Sequence, residues 1–518
     1  MNVLGRTCGA GLEGIEGQVV EVEVDVATGL PTFVISGLPD AACRQAAERV
    51  RSAVVHSGFA RVECKVVVNL SPASVPKSGA AFDLAIALAL LVARGDIAST
   101  AMPDMVHLGE LGLDGSVRPV PGVLARVIGA VASGRTRVVV PMECAAEALL
   151  VAGAEVFAVA TLREAAALHS ALRKRESLTP WLVEAQASST APDSRPIRDI
   201  ADVAGQQEAR LALEIAAAGG HHVFMLGPPG AGKTMLAECL PGLLPPLSDA
   251  EALDSTVVHS VLSKLPTGAL IRIPPFVSPH HGASAPALIG GGGGQLGAVR
   301  PGLITLAHNG VLFLDEAPEF KPGVLQALRQ PLESGDIVVA RARGSGTFPA
   351  RFQLVLAANP CPCGNAHGKG AECRCAPKSK REYLGRLAGP LLDRIDVQLQ
   401  VDRVSRAALA LPRGESSAAV AARVEQARAV QADRLRGTPW RLNSQVPGPR
   451  LRHGPWRLPV STTKIIDSAL DRGTLTLRGY DRVLRLAWTS ADLAGSGTPG
   501  ADDVGLAFTL RTRAGMAA

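Results

Sequence analysis

The 518-residue chain is 47% hydrophobic, 19% charged and 3% aromatic. Those figures exclude disorder, a collagen-like repeat and a disulfide-knit secreted module, and leave room for roughly two to four domains. Lys and Arg exceed Asp and Glu by 53 to 47, and the excess is local: residues 1–190 carry 16 basic and 19 acidic groups, 191–402 carry 19 of each, and 403–518 carry 18 and 9. A basic C-terminal segment on a near-neutral body points to a polyanion partner, or to a solvated Arg-rich face. The scarcity of aromatics argues against a surface built on base stacking.

In chain order, the start (MNVLGRTCGAGLEG) has no apolar leader-like run, and the longest apolar stretch, residues 81–93, contains Asp83 and is too short to cross a membrane. A soluble cytoplasmic protein is expected. Residues 17–37 alternate around a Gly-Leu-Pro turn, which predicts a β-hairpin. A helix over 41–58, a strand in RVECKVVVNL, the apolar helix 81–93 and a strand–turn–strand over 107–120 follow. Residues 1–170 therefore mix strands and helices in an α/β or α+β domain, with a Ser-, Pro- and charge-rich linker over 171–198. In 199–402 the runs HHVFMLG, GVLFLDE and FQLVLAAN are apolar without alternation, the pattern of parallel strands buried on both faces. Residues 403–518 read as helices, including 417–436 and 477–493.

The segment Gly227-Pro228-Pro229-Gly230-Ala231-Gly232-Lys233-Thr234 follows a strand and opens a helix. This is the phosphate loop, G-x-x-x-x-G-K-[ST]. Its glycines let backbone N–H groups face phosphates, Lys233 reaches the β- and γ-phosphates, and Thr234 ligates Mg²⁺. Asp315 and Glu316 end the strand VLFL, where ligands bind in such sheets. Asp315 would hold Mg²⁺ through water, and Glu316 would deprotonate the attacking water. Asn359, ending the next strand, would polarise that water or sense the γ-phosphate. Arg394 is a local partner of Asp393 or Asp396, or an arginine finger on the nucleotide of the next subunit in a ring.

Nine cysteines are present. Cys8, Cys43, Cys64, Cys144 and Cys239 are expected as buried thiols of a reducing compartment. Cys361, Cys363, Cys373 and Cys375 form C-x-C-x₉-C-x-C, which suits a structural Zn²⁺, a redox-sensitive pair or free thiols. A metal there would pin the loop after Asn359. The run Gly290–Gly294 predicts a mobile loop, either directed to a pore or a plain surface loop. His280 and His281 have no ligand partners at metal-binding spacing in the sequence.

These segments together resemble the AAA+ superfamily, and more narrowly the magnesium-chelatase-like ATPases of the YifB/ComM family. The resemblance is carried by VNLSPASVPKSGAAFDLAIAL, HLGELGLDGSVRPVPGVL, GPPGAGKTMLA, SPHHGASAPALIGGG, RPGLITLAHNGVLFLDEAPEF, NPCPCG, GPLLDRID and RGYDRVLRLAWTSADLAG. It implies an α/β fold: an AAA+ P-loop parallel-sheet domain (199–402) and a helical lid (403–518), preceded by a Lon-protease-like, ribosomal S5 domain 2-like α+β domain (1–170). It further implies a hexameric ATPase using ATP and Mg²⁺, whose better-known members move DNA branch points during uptake and recombination of transforming DNA. Asn359 becomes the sensor-1 residue, Arg394 the trans finger and Arg478 the sensor-2 arginine. Arg482 and Arg485, further along the same helix, are candidates to face DNA. Two positions depart from the pattern. The Lon nucleophile and lysine fall at Ala81 and Leu124, with Ser78 at a different place, so no acyl transfer is organised. Leu303 stands where relatives usually carry Glu.

The leading expectation is a sequence-independent DNA motor acting on single-stranded or branched DNA, assembled as a homo-oligomer and not membrane-bound. The alternative is the motor subunit of a metal chelatase or another protein-remodelling AAA+ ATPase.

Overall fold

The structure, a computed structural model, describes residues 4–73, 77, 79–98, 102–184, 198–262, 269–291, 300–341, 344–366, 373–387, 391–410 and 412–512. Strands β1 (Gly5–Glu13), β2 (Glu16–Ala27), β3 (Phe33–Ser36), β4 (Lys65–Ser71), β5 (Met105–His107), β6 (Arg137–Pro141) and β7 (Glu155–Val159) form one mixed sheet, ordered β3-β4-β2-β1-β5-β6-β7. The alternation over 17–37 marks strands correctly and misassigns their pairing. The hairpin is β1–β2, and β3 runs parallel to β4 at the sheet edge. β4 pairs antiparallel with β2 along its whole length and so takes the position that a β2–β3 hairpin needs. Period-2 patterning sets which face a residue occupies, not which strand it lies beside.

The helix Asp83–Ala93 is buried from Asp83 to Val92. Its Asp83 is held by Arg49 at 2.6 Å. The strand–turn–strand expected over 107–120 is a short ladder, Glu110–Leu111 against Val117–Arg118. Residues after the helix Leu162–Lys174 still pack on this unit: Ala158 N–H donates to Trp181 O at 2.8 Å and Val183 N–H to Val156 O at 3.0 Å. Cys8, Cys43, Cys144 and Cys239 are buried as expected, and Cys64 is half-buried.

The second sheet is parallel throughout. β8 (Val223–Leu226), β9 (Phe276–Val277), β10 (Gly310–Leu314), β11 (Phe352–Ala358) and β12 (Val397–Gln400) lie in the order β9-β10-β11-β8-β12. β8 and β10 are unbrokenly apolar, and β11 is so apart from Gln353, because alternate residues serve two cores. Val223, Met225, Val311, Phe313, Val355 and Ala357 enter the core shared with the helix Gln207–Gly219 and the lid. Phe224, Leu312, Leu314, Leu354, Leu356 and Ala358 enter the one on the opposite face. Two small ladders went unread in the sequence: Asp336–Arg341 with Gly344–Pro349, and Gly290–Gly291 with Arg300–Pro301. The second forms the base of the glycine-rich insertion, whose residues 292–299 lie outside the described residues, as does Ser78.

The lid helices are Ser417–Arg434, Val460–Asp471, Leu477–Leu493 and Ala501–Thr512. Ser416 and Thr476 cap the first and third by accepting from Ala419 N and Gly479 N. Val420, Val424, Leu486 and Ala487 share a core with Ala212, Leu213 and Ala216 of the helix Gln207–Gly219. Part of the basic surplus is structural. Arg423 pairs with Glu214 and Glu415, Arg428 donates to Ala217 O, and Arg434 pairs with buried Asp492 over the face of Trp488.

The two sheets meet through helices Val123–Ala132 and Asp249–Val261. Leu124, Ala125 and Val257 are buried there beside Leu12, Ile128, Leu253 and Val261. Gly122 N–H donates to Ser260 O at 3.1 Å, and Glu147 accepts from Leu124 N–H at 2.8 Å and from the Ser260 hydroxyl. No described helix is long and apolar enough to cross a membrane.

Candidate active site

Three adjacent parallel strands bring their carboxyl ends together. In the ladder Leu226 lies opposite Ala358, and Leu314 opposite Leu356. The phosphate loop after β8, the Asp315-Glu316 pair after β10 and Asn359 after β11 therefore share one sheet edge.

The glycines of the loop serve different needs. Gly230 and Gly232 have φ of +75° and +93°, in the left-handed region that favours glycine. Gly227 is required by space, since a Cβ there would lie 2.1 Å from Val401 O. Its N–H donates to Ala358 O at 3.1 Å, fastening the loop to β11.

Lys233 is buried, and its ammonium donates to Gly227 O (2.7 Å), Pro228 O (3.0 Å) and Asn359 Oδ1 (3.1 Å). Burial pulls its pKa below the ordinary lysine value, against the opposing pull of Asp315 and Glu316. The Thr234 hydroxyl donates to Asp315 Oδ2 at 2.8 Å. These two hard oxygen donors, side by side, fit Mg²⁺. Asp315 Oδ1 accepts the Glu316 N–H at 2.9 Å. Glu316 itself sits at φ +50°, a conformation costly for a non-glycine residue and found where the surroundings impose it. Its carboxylate is half exposed and lies 3.2 Å from His281 Nδ1. No local motif marks His281, which stands 35 residues before Glu316 in the chain. It stacks near His280, with ring centroids 4.2 Å apart, and turns its ring edge-on to Phe320.

Arg394 and Arg478 do not join this edge. Val397 pairs with Val223 at the amino end of β12, so Arg394, three residues earlier, lies at the opposite edge of the sheet from the phosphate loop. It pairs with Glu333, not with the neighbouring Asp393 or Asp396. Arg478, highly exposed, is 3.7 Å from Asp393. Both line a cavity of about 170 Å³ with Glu333, Asp393, Asp481, Arg482 and Arg485.

Arg482 and Arg485 correct the sequence reading. Arg482 donates to fully buried Asp396 at 2.8 Å, and Arg485 donates to Val446 O at 2.7 Å. Arg482 ties the lid to the start of β12, Arg485 ties two segments of the lid to each other, and both side chains are largely taken up by these contacts. Burial works against ionised Asp396, yet Arg482 and His221 hold its pKa well below the ordinary carboxylate range.

The four clustered cysteines do converge: all four sulfurs lie within 4.8 Å of one another.

The comparisons agree with this architecture. Three family models match in succession: "Subunit ChlI of Mg-chelatase" over residues 22–144, "Magnesium chelatase, subunit ChlI" over 199–409, and "Magnesium chelatase, subunit ChlI C-terminal" over 414–511. An uncharacterised protein of Mycobacterium tuberculosis is 47% identical over 510 residues, 98% of each chain. YifB of Escherichia coli is 39% identical over 93% of this chain and 91% of its own length. Competence protein ComM of Haemophilus influenzae is 38% identical over 93% and 92%. With a parallel-sheet nucleotide site and relatives of that identity along most of its length, the chain belongs to the YifB/ComM family of magnesium-chelatase-like AAA+ proteins.

Proposed function

We propose that the chain is a ring-forming ATPase that couples ATP hydrolysis to translocation on DNA or to branch migration. The observation that carries the ATPase reading is the junction at one sheet edge, where Lys233 bonds Asn359 and Thr234 bonds Asp315. Backbone N–H groups of residues 230–234 and the Lys233 ammonium bind the phosphates, Thr234 and Asp315 hold Mg²⁺, and Glu316 takes a proton from water. Mg²⁺ supplies charge neutralisation at the phosphates when bound. Lys233 is already engaged by three oxygens, so γ-phosphate binding exchanges at least one of them and signals to Asn359.

Arg394 and Arg478 reach a nucleotide only across a subunit boundary, because the fold puts them at the far edge of their own sheet. That is the reason for a ring, which by family resemblance is a hexamer.

The domain reading is a Lon-protease-like, ribosomal S5 domain 2-like module that runs past residue 170, since Trp181 and Val183 still bond its last strand, then a linker ending at 198, the ATPase over 199–402 and the lid over 403–518. The module is not a protease. Ala81 is buried in an apolar core, and Leu124, at the lysine position, is buried in the seam with the ATPase helix. The position of a catalytic base has become a domain contact. Zn²⁺ at the four cysteines is structural on this reading, since a closed thiolate set leaves no open position.

DNA enters through the relative named a competence protein and through exposed lid cations such as Arg441, Arg450, Arg457, Lys464 and Arg472. Such contacts grip phosphates without reading bases. The test is ATP hydrolysis at low salt with and without single-stranded or branched DNA. Stimulation in wild type and its loss in Lys233→Ala are expected. Stimulation by a partner protein and not by DNA would favour the chelatase-type alternative.

A further inference from the structure

Cys361 Sγ lies 3.4 Å from Cys363 Sγ and 3.6 Å from Cys373 Sγ, and Cys363 lies 3.7 Å from Cys373. No pair is at bonding distance. Four thiolates placed about 2.3 Å from one tetrahedral Zn²⁺ stand about 3.8 Å apart, so these separations match the edge of such a tetrahedron. A multi-iron cluster binds its thiolates on different metal atoms and spreads them wider. Pro360 and Pro362 flank Cys361, fixing φ on both sides of it and limiting the freedom lost when the C-x-C pair is presented. Apart from Cys361 and Gly364, the described residues from 361 to 376 are exposed or half-buried, so apolar burial does little to order this segment.

The cluster touches the nucleotide site at two points. Asn359, two residues before Cys361, accepts from Lys233 at 3.1 Å. Gly364, one residue after Cys363 and at φ +78°, lies so close to the phosphate loop that a Cβ there would be 2.5 Å from Pro229 Cγ. From Cys375 the chain enters the helix Pro377–Gly385, whose buried Tyr383 returns to the Asn359 backbone.

We propose that these four cysteines hold a Zn²⁺ that clamps the end of β11 and the phosphate loop into one unit, making nucleotide turnover depend on the metal. This rests on the ATP-site reading above. The clamp acts on Asn359 through its backbone and on Pro229 through Gly364. Losing the ion frees both contacts while leaving the parallel sheet formed.

The experiment uses the full chain. Elemental analysis is expected to find one zinc per chain, lost in Cys361→Ser/Cys373→Ser and retained in Cys375→His, which keeps a ligand. Hydrogen exchange of residues 225–235 and 359–366 is expected to rise when zinc is stripped by a thiol-directed mercurial, and to recover on thiol treatment with added Zn²⁺. ATP hydrolysis should follow the same cycle, falling by about tenfold or more, as loss of a site's supporting shell does. Iron in place of zinc, or metal-free wild type, overturns the site. Zinc present but removable with unchanged exchange in the phosphate loop overturns the clamp. Because exchange needs no turnover, a wild type that binds zinc and protects the loop yet hydrolyses nothing counts against the ATPase reading alone. Circular dichroism of the serine variant separates loss of the clamp from loss of the fold.

Discussion

His281 Nδ1 stands 3.2 Å from the carboxylate of Glu316, the side chain proposed as the general base. The imidazole comes from the segment leading into the glycine-rich ladder Gly290–Gly291 with Arg300–Pro301. His281 competes with water for one oxygen of this half-exposed carboxylate, so the contact tempers the base without closing it off. His281→Ala is expected to raise the DNA-independent hydrolysis rate a few-fold and to shrink the stimulation by DNA. Steady-state rates with and without DNA check this, and a loss as deep as that of Glu316→Gln would show that the histidine takes part in the chemistry.

Glu316→Gln keeps the size of the side chain and removes its basicity. Turnover should fall by about a hundredfold or more, the range for loss of a general base, while ATP stays bound and the oligomer persists. Nucleotide retention on a sizing column reads the outcome. Loss of ATP binding would contradict the base assignment.

Asn359 binds Lys233 through a neutral oxygen. Asn359→Ala should leave ATP affinity within a few-fold and cut turnover by about tenfold or more, because a positioned hydrogen bond made in the reaction is lost. Asn359→Asp should also weaken ATP binding, through a negative charge beside the γ-phosphate. Equal effects of the two variants on affinity would remove the sensing role.

The lid separates two kinds of arginine. Arg482→Ala takes the guanidinium from fully buried Asp396, leaving it the His222 N–H and nearby His221, at a cost on the order of 3 kcal/mol. It should lower the melting temperature with little change in the salt dependence of DNA binding. Arg441→Ala, at an exposed position, should leave the melting temperature unchanged and reduce the slope of log affinity against log salt by about one. Reversal of the two effects would place the DNA surface elsewhere.

Burial pushes His107, His222 and His308 down to about 4 and His169 well below its ordinary value. The fold keeps these imidazoles neutral, so their contribution is whole above pH ~6.5 and is lost as pH falls toward 4. Asp83, pushed up to about 6 by burial despite Arg49, has the opposite sign: its contribution is lost as pH rises through 6. Several imidazoles outweigh one carboxyl, so the melting temperature should be lower at pH 5 than at pH 7.5. An equal or higher value at pH 5 would show that these histidines are solvated.

What was legible in the sequence follows from range. The phosphate loop, Asp315 and Glu316 were readable because each motif is local and each strand carries its own two-faced apolar pattern. Lid helices Ser417–Arg434 and Leu477–Leu493 were readable in outline as 417–436 and 477–493. The β1–β2 hairpin was missed because pairing depends on β4, some 40 residues downstream. His281 was missed because its partner is 35 positions away and no spacing rule joins them. Arg482 was misread because Asp396, its counter-ion, comes from another element. Net charge located the basic lid without telling which arginines the fold itself consumes.

An ATP site shared between two chains is tested most directly by mixing subunits. Lys233→Ala chains cannot bind the phosphates but carry Arg394 and Arg478, while Arg394→Ala chains bind ATP and lack the finger. Each variant alone should be inactive. Mixed in equal amounts, they should recover a measurable fraction of wild-type, DNA-stimulated ATP hydrolysis, because some boundaries pair an intact phosphate loop with an intact arginine. Mixed oligomers with no activity above the separate variants, or an Arg394→Ala chain that turns over normally by itself, would contradict the shared site.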